Sequence, residues 1–188
     1  PMLKSMYPAF DESWFRKKCE EFHLPMDKKL KDFSTGMKAK LKVLSAIANE
    51  DARLLILDEP TAGMDVMVRE QILDLLREFM MPGDRSILIS SHISSDLEGF
   101  CDDVYLMNQG KIILHEDVDT LLEQYGILKV TPEQYDTLDK EYLLRVKKED
   151  YGYACLTGQK DFYQENWPQI IVEKGTIDQI MTMMVEGK

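Results

Sequence analysis

The 188-residue sequence predicts an α/β fold, with a parallel sheet fed by helices, a helical segment ahead of it and a small α+β extension behind it. Three observations carry this. Residues 54–57 are an unbroken apolar run, as expected of a strand covered on both faces in a parallel sheet. A helix-period apolar stripe and a second short apolar run follow, giving strand, helix, strand. Before Glu50 the apolar spacing is helical throughout, and after Gly126 short strand-like runs alternate with turns.

In chain order, Asp11 stands where a helix N-cap belongs, ahead of Trp14, Phe15 and Cys19 at near-helical spacing. A second helix is expected over residues 36–48. After the strand at 54–57, Asp65 is placed to cap a helix over 66–80 whose stripe is Val68, Ile72, Leu75, Leu76 and Phe79. The turn Pro82-Gly83-Asp84 ends it, and residues 86–90 form the next strand, joined by the right-handed crossover that parallel pairs nearly always take. Residues 104–107 and 112–114 read as a hairpin through Asn108-Gln109-Gly110. Beyond it, 143–146, 153–156 and 170–172 are strand candidates, and Ile177, Ile180, Met181 and Met184 mark a closing helix. The pattern divides the chain into a helical part (1–50), an α/β core (51–125) and an α+β extension (126–188).

Composition narrows the function. The net charge is -11, with 10 basic against 7 acidic residues up to Glu50 and 13 against 27 after it. Such a balance argues against nucleic-acid binding, which draws its affinity from neutralised phosphates. The basic run from Lys28 to Lys42 remains a candidate for a local anion contact or a solvated helix face. No stretch nears the ~20 apolar residues of a membrane span, so any membrane role is peripheral. Cys19, Cys101 and Cys155 are odd in number and irregular in spacing, which fits reduced thiols rather than a disulfide framework or zinc site.

Ligands of parallel α/β sheets gather beyond the carboxyl ends of the strands. Here those positions hold Asp58-Glu59 and Ser91-His92, so Glu59 and His92 are expected at one rim of the sheet. Adjacent carboxylates at the end of an apolar strand are costly unless a cation shares their charge, and magnesium with phosphates attached is one such neutraliser. An ordinary acidic turn stiffened by Pro60, with His92 a surface residue, is the plain alternative.

Read together, the pieces resemble a family. Leu54-Leu55-Ile56-Leu57-Asp58-Glu59-Pro60-Thr61 is similar to the Walker B strand of ABC (ATP-binding cassette) ATPases, and Ala62-Gly63-Met64-Asp65 to their D-loop. Ser90-Ser91-His92 resembles their switch-histidine segment, and Phe33-Ser34-Thr35-Gly36-Met37 a divergent form of their Leu-Ser-Gly-Gly-Gln signature. The order matches the family's. The resemblance runs over residues 7–124 and reaches more weakly to the end, where residues 171–184 are similar to the C-terminal extension of drug- and bacitracin-type exporter ATPases. The Gly-Met ending of the signature points to the branch serving ABC-2-type exporters.

The resemblance implies a partial P-loop NTPase-type sheet with a helical subdomain, and ATP and Mg²⁺ as cofactors. Asp58 would hold Mg²⁺ through water, Glu59 would polarise the attacking water, and His92 would contact the γ-phosphate. Ser34, Thr35 and Gly36, with Asp65, would meet the nucleotide of a second ATP-binding subunit across a dimer seam, although Ser34 and Asp65 equally suit plain helix caps. Thr35 in place of a glycine and Met37 in place of glutamine depart from the family pattern. Expected partners are that second subunit and a transmembrane permease, at the cytoplasmic face of a cell membrane, with no nucleic acid.

The family's phosphate loop, Gly-x-x-x-x-Gly-Lys-Ser/Thr, is not found around any of the ten glycines. The chain therefore reads as the C-terminal part of an ATPase subunit, inactive by itself. A soluble non-transport ABC ATPase and a non-catalytic interaction module remain open alternatives.

Overall fold

Asp11 and Ser34 each cap the start of a helix in the N-terminal half. The computed structural model describes residues 2–188 and divides into two compact units, Pro1–Ile93 and Ser94–Lys188. In the first, a short helix α1 (Met2–Met6) precedes α2 (Glu12–Glu21), where Asp11 Oδ1 accepts the Trp14 N–H at 2.9 Å. Phe15 and Cys19 are its buried residues, as their spacing predicts. A 3₁₀ turn at Leu30–Asp32 leads to α3 (Thr35–Ile47), which buries Val43 and Leu44.

Strand β1 (Leu54–Asp58), helix α4 (Val66–Met80) and strand β2 (Ser86–Ser90) form the expected crossover unit. The strands pair in parallel, with Leu54 opposite Ser86 and Asp58 opposite Ser90. The α4 stripe buries Ile72, Leu73, Leu75, Leu76 and Phe79, each burial contributing about 1.5–3 kcal/mol.

The expectation that β1 is covered on both faces fails in this chain. Leu55 is buried, whereas Leu54, Ile56 and Leu88 are 55%, 71% and 59% exposed. Side chains alternate across a strand, so one face of the pair packs and the other lies open.

The second unit holds α5 (Ser94–Glu98), then β3 (Asp103–Asn108) and β4 (Lys111–Asp117) as an antiparallel hairpin, followed by α6 (Val118–Gln124). The remainder is β5 (Gly126–Val130), α7 (Pro132–Thr137), β6 (Leu143–Glu149), β7 (Gly152–Thr157), α8 (Lys160–Asn166), β8 (Ile171–Lys174) and α9 (Ile177–Glu186). The sheet order is β6-β7-β5-β8 with every pairing antiparallel, the split β-α-β-β-α-β arrangement closed by an extra helix. Gly152 makes the hairpin possible. Its φ is +146°, and a Cβ there would lie 2.2 Å from the Val130 carbonyl oxygen.

Both faces of this sheet are covered, and alternation along β5 and β7 accounts for it. Ile127, Ala154 and Leu156 join Leu97, Val104, Val118, Ile177 and Ile180 in one core. Leu128, Val130 and Cys155 join Leu138, Tyr163 and Ile170 in the other. Residues 94–125 thus share a core with the extension that follows them. Among the described residues no helix is long and apolar enough to cross a membrane.

Candidate functional site

Because β1 and β2 run parallel and end in register at Asp58 and Ser90, the residues after them leave at the same rim. The turn after β1 is tight: the Ala62 N–H donates to the Glu59 carbonyl at 3.2 Å and the Met64 N–H to the Thr61 carbonyl at 3.2 Å. Pro60 and Thr61 are buried beneath it. Glu59 itself adopts φ +47°, the left-handed region that non-glycine residues avoid at a cost of about 1–2 kcal/mol. After β2, Ser91 Oγ accepts the Ile93 N–H at 3.0 Å and shapes the loop that carries His92.

The two sides meet. His92 Nδ1 lies 2.7 Å from Glu59 Oε2, with the imidazole well exposed and the carboxyl partly covered. Alongside, Ser90 Oγ donates to Asp58 Oδ1 at 2.6 Å and accepts the Glu59 N–H at 3.0 Å. The Ser90 carbonyl accepts the same N–H at 3.2 Å. Asp58, Glu59 and His92 are therefore one polar cluster at the sheet rim. Ser90 belongs to it too, and the sequence reading gave that serine no role of its own. Its one signal is a hydroxyl residue closing an apolar strand.

The remaining candidates form a second cluster. Ser34, Thr35, Gly36, Lys40, Gly63 and Asp65 line a cavity of about 350 Å³. Ser34 Oγ accepts the Met37 N–H at 3.2 Å and Asp65 Oδ1 accepts the Val68 N–H at 3.0 Å, so both serve as helix caps. A helix start leaves further N–H groups without intrahelical partners, and the positive dipole end of the 13-residue α3 adds to the attraction for an anion, as does Lys40. Gly36 is needed for closeness: a Cβ there would stand 3.2 Å from the Gly63 carbonyl oxygen. Lys40 belongs to the basic run that the sequence offers for an anion contact and Gly63 to the D-loop-like segment, and folding brings both to one wall.

Among the described residues no group of three or more His, Cys, Asp or Glu forms a metal site. The adjacent carboxylates Asp58 and Glu59 fit a different mode, in which Mg²⁺ arrives with phosphates and takes one or two carboxylates through its waters. The thiols are poor candidates for nucleophile or ligand. Burial pushes Cys155 up to about 12 and Cys101 up to about 11, well away from the thiolate range at neutral pH.

No protein-family model matches the chain. Among curated proteins it is 33% identical over 124 residues to the ABC transporter ATP-binding protein YtrB of Bacillus subtilis, a match covering 66% of this chain and 42% of that protein. It is 31% identical over 144 residues to the Nod factor export ATP-binding protein I of Neorhizobium galegae, covering 72% of this chain and 40% of that protein. Among solved structures, an ATP binding subunit of an ABC transporter aligns with a TM-score of 0.55 at 26% identity, over 65% of this chain and 52% of that one. The chain thus spans about half, or somewhat less, of the length of the relatives it matches.

Proposed function

Since the chain belongs by sequence and fold to the ATP-binding proteins of ABC transporters, we propose that it forms the C-terminal part of an ATPase subunit that drives a membrane permease. The observation that carries this reading is the 2.7 Å contact between Glu59 and His92 at the shared rim of two parallel strands, next to Asp58. An apolar strand ending in two carboxylates, faced by an imidazole from the neighbouring strand, suits a reaction whose catalysis is positioning plus charge stabilisation.

In this reading Glu59 accepts a proton from, and orients, the water that attacks the terminal phosphoryl group. His92 holds the Glu59 carboxyl in place through Nδ1 and offers its Nε2 edge to the phosphate. Asp58 is the residue that would hold Mg²⁺ through water. When bound, Mg²⁺ supplies charge neutralisation for the phosphates. Ser34, Thr35 and Gly36 at the start of α3, with Asp65, face the nucleotide of a second ATP-binding subunit, which makes the active form a dimer. All of these residues fall in the helical part (1–50) and the core (51–125), and none in the extension (126–188), with which residues 94–125 share a hydrophobic core.

The relative named for Nod factor export supports an exporter. A subunit of this kind sits at the cytoplasmic face of the membrane, held there by its permease. The chain contains no Gly-x-x-x-x-Gly-Lys-Ser/Thr sequence, and on that ground the 188 residues by themselves neither bind ATP tightly nor hydrolyse it.

Titrating Mg-ATP into the purified chain checks this, with no sub-millimolar binding and no turnover expected. Joined to a phosphate-loop half, the chain should hydrolyse ATP, and Glu59→Gln should lower turnover by about 10²–10⁴-fold with nucleotide binding retained. Turnover that survives Glu59→Gln at the original rate would remove Glu59 from catalysis and the reading with it.

A further inference from the structure

The geometry points to Ser90 as a positioning residue: its hydroxyl ties the Asp58 side chain and the Glu59 backbone into one unit and so sets the direction in which the Glu59 carboxyl meets His92. This rests on the function proposed above. The hydroxyl is used in both senses at once, as donor to Asp58 Oδ1 at 2.6 Å and as acceptor of the Glu59 N–H at 3.0 Å. Among side chains of this size only serine and threonine do both strongly from one atom.

The second contact falls on the residue with the unfavourable backbone. Glu59 sits at φ +47°, a conformation that persists only where surrounding contacts hold it. Its N–H is shared between the carbonyl oxygen and the hydroxyl oxygen of the same serine, at 3.2 and 3.0 Å. The peptide plane before Glu59 is thereby fixed from the neighbouring strand, and with it the departure of the side chain that reaches His92 Nδ1 at 2.7 Å. The first contact restricts Asp58 by occupying one carboxylate oxygen and leaving the other free. One hydroxyl therefore orients the metal-facing and the water-facing acids together. Neither contact belongs to the β1–β2 backbone ladder, so removing the hydroxyl leaves strand pairing in place.

The test uses the isotope-labelled 188-residue chain as wild type, Ser90→Ala and Ser90→Thr. Ser90 is exposed at the rim, so the extra methyl of threonine has room. Magnetic resonance reads amide hydrogen exchange at Glu59 and the ring-nitrogen shifts of His92, with the Leu57 and Leu88 amides as reference for the intact ladder. Ser90→Ala leaves the Glu59 N–H only its bond to the residue-90 carbonyl, so it should speed Glu59 exchange severalfold, up to roughly the tenfold of one full hydrogen bond, and move His92 Nδ1 toward its free-imidazole position. Ser90→Thr should restore both.

Identical Glu59 exchange and His92 shifts in wild type and Ser90→Ala would overturn the proposal, as would a threonine variant that behaves like alanine. A second arm measures ATP turnover in the chain joined to a phosphate-loop half, where Ser90→Ala should lower kcat about tenfold at unchanged KM and Ser90→Thr should recover it. The arms separate the two ideas. Altered resonances with turnover insensitive to Glu59→Gln would leave the Ser90 link standing and remove the ATPase reading. Unaltered resonances with Glu59-dependent turnover would do the reverse.

Discussion

Asp65 caps α4 by accepting the Val68 N–H at 3.0 Å, and that bond alone accounts for a short side-chain acceptor at this place. The reading that also puts it at a dimer seam adds a demand the cap does not make, namely a carboxylate rather than any short acceptor. The two are separable by substitution. Asp65→Ala should cost about 1 kcal/mol of stability by losing the cap, whereas Asp65→Ser should keep most of it, since serine caps nearly as well. In the chain joined to a phosphate-loop half, Asp65→Ser should still lower ATP turnover if the seam needs the charge. Wild-type turnover and stability in Asp65→Ser would reduce Asp65 to a cap, and thermal melting with a phosphate-release assay decides it. Ser34 poses the same question with the opposite chemistry, because its hydroxyl oxygen accepts the Met37 N–H while its O–H, together with the backbone amides of α3, is left for an anion.

At the level of elements, legibility followed length and period. β1, α4 and β2 were readable because an apolar run, a five-residue helical stripe and a second run occur in sequence with a cap and a turn between them. The meeting of Glu59 with His92 followed from parallel pairing alone. The bonds of Ser90 did not, since they depend on Asp58 and Ser90 standing opposite one another, and register is invisible in a single chain. β5 escaped notice because Gly126 looked like a boundary and not like the first residue of the central strand. Helices α7 and α8 span six and seven residues, under two turns, too short for a 3.6-residue period to show. The central place of β5 makes it the costly element to disturb. Leu128 is fully buried and Leu128→Ala should cost about 2–5 kcal/mol. Ile171 on edge strand β8 is 63% exposed, and Ile171→Ala should stay within about 0.5 kcal/mol. Denaturant melts of the two variants test this, and equal losses would mean that β5 is not the centre of the unit's stability.

The molecule as a whole carries an unfinished surface. Among the described residues β1 and β2 make a sheet of two strands, each with a free ladder edge, and no charged residue interrupts β1 before Asp58 or β2 from Ser86 to Ser90. Ile56 and Leu88 stand opposite each other in register, both well exposed, with Leu54 two residues along the same face. Unpaired edges and contiguous apolar faces are what strands use to recruit other chains. The net charge of -11 opposes association at long range, but screening confines that repulsion to within about 10 Å at 0.1 M salt, whereas contact between apolar faces does not weaken with salt. The 188-residue chain should therefore self-associate as its concentration rises, and more readily at higher ionic strength. Light scattering should give a mass above the monomer's that grows with concentration, and placing lysines at Ile56→Lys and Leu88→Lys should return it to the monomer value. A wild-type chain that stays monomeric at high concentration and high salt would mean that this face is satisfied within the chain, contrary to the exposure of Ile56 and Leu88.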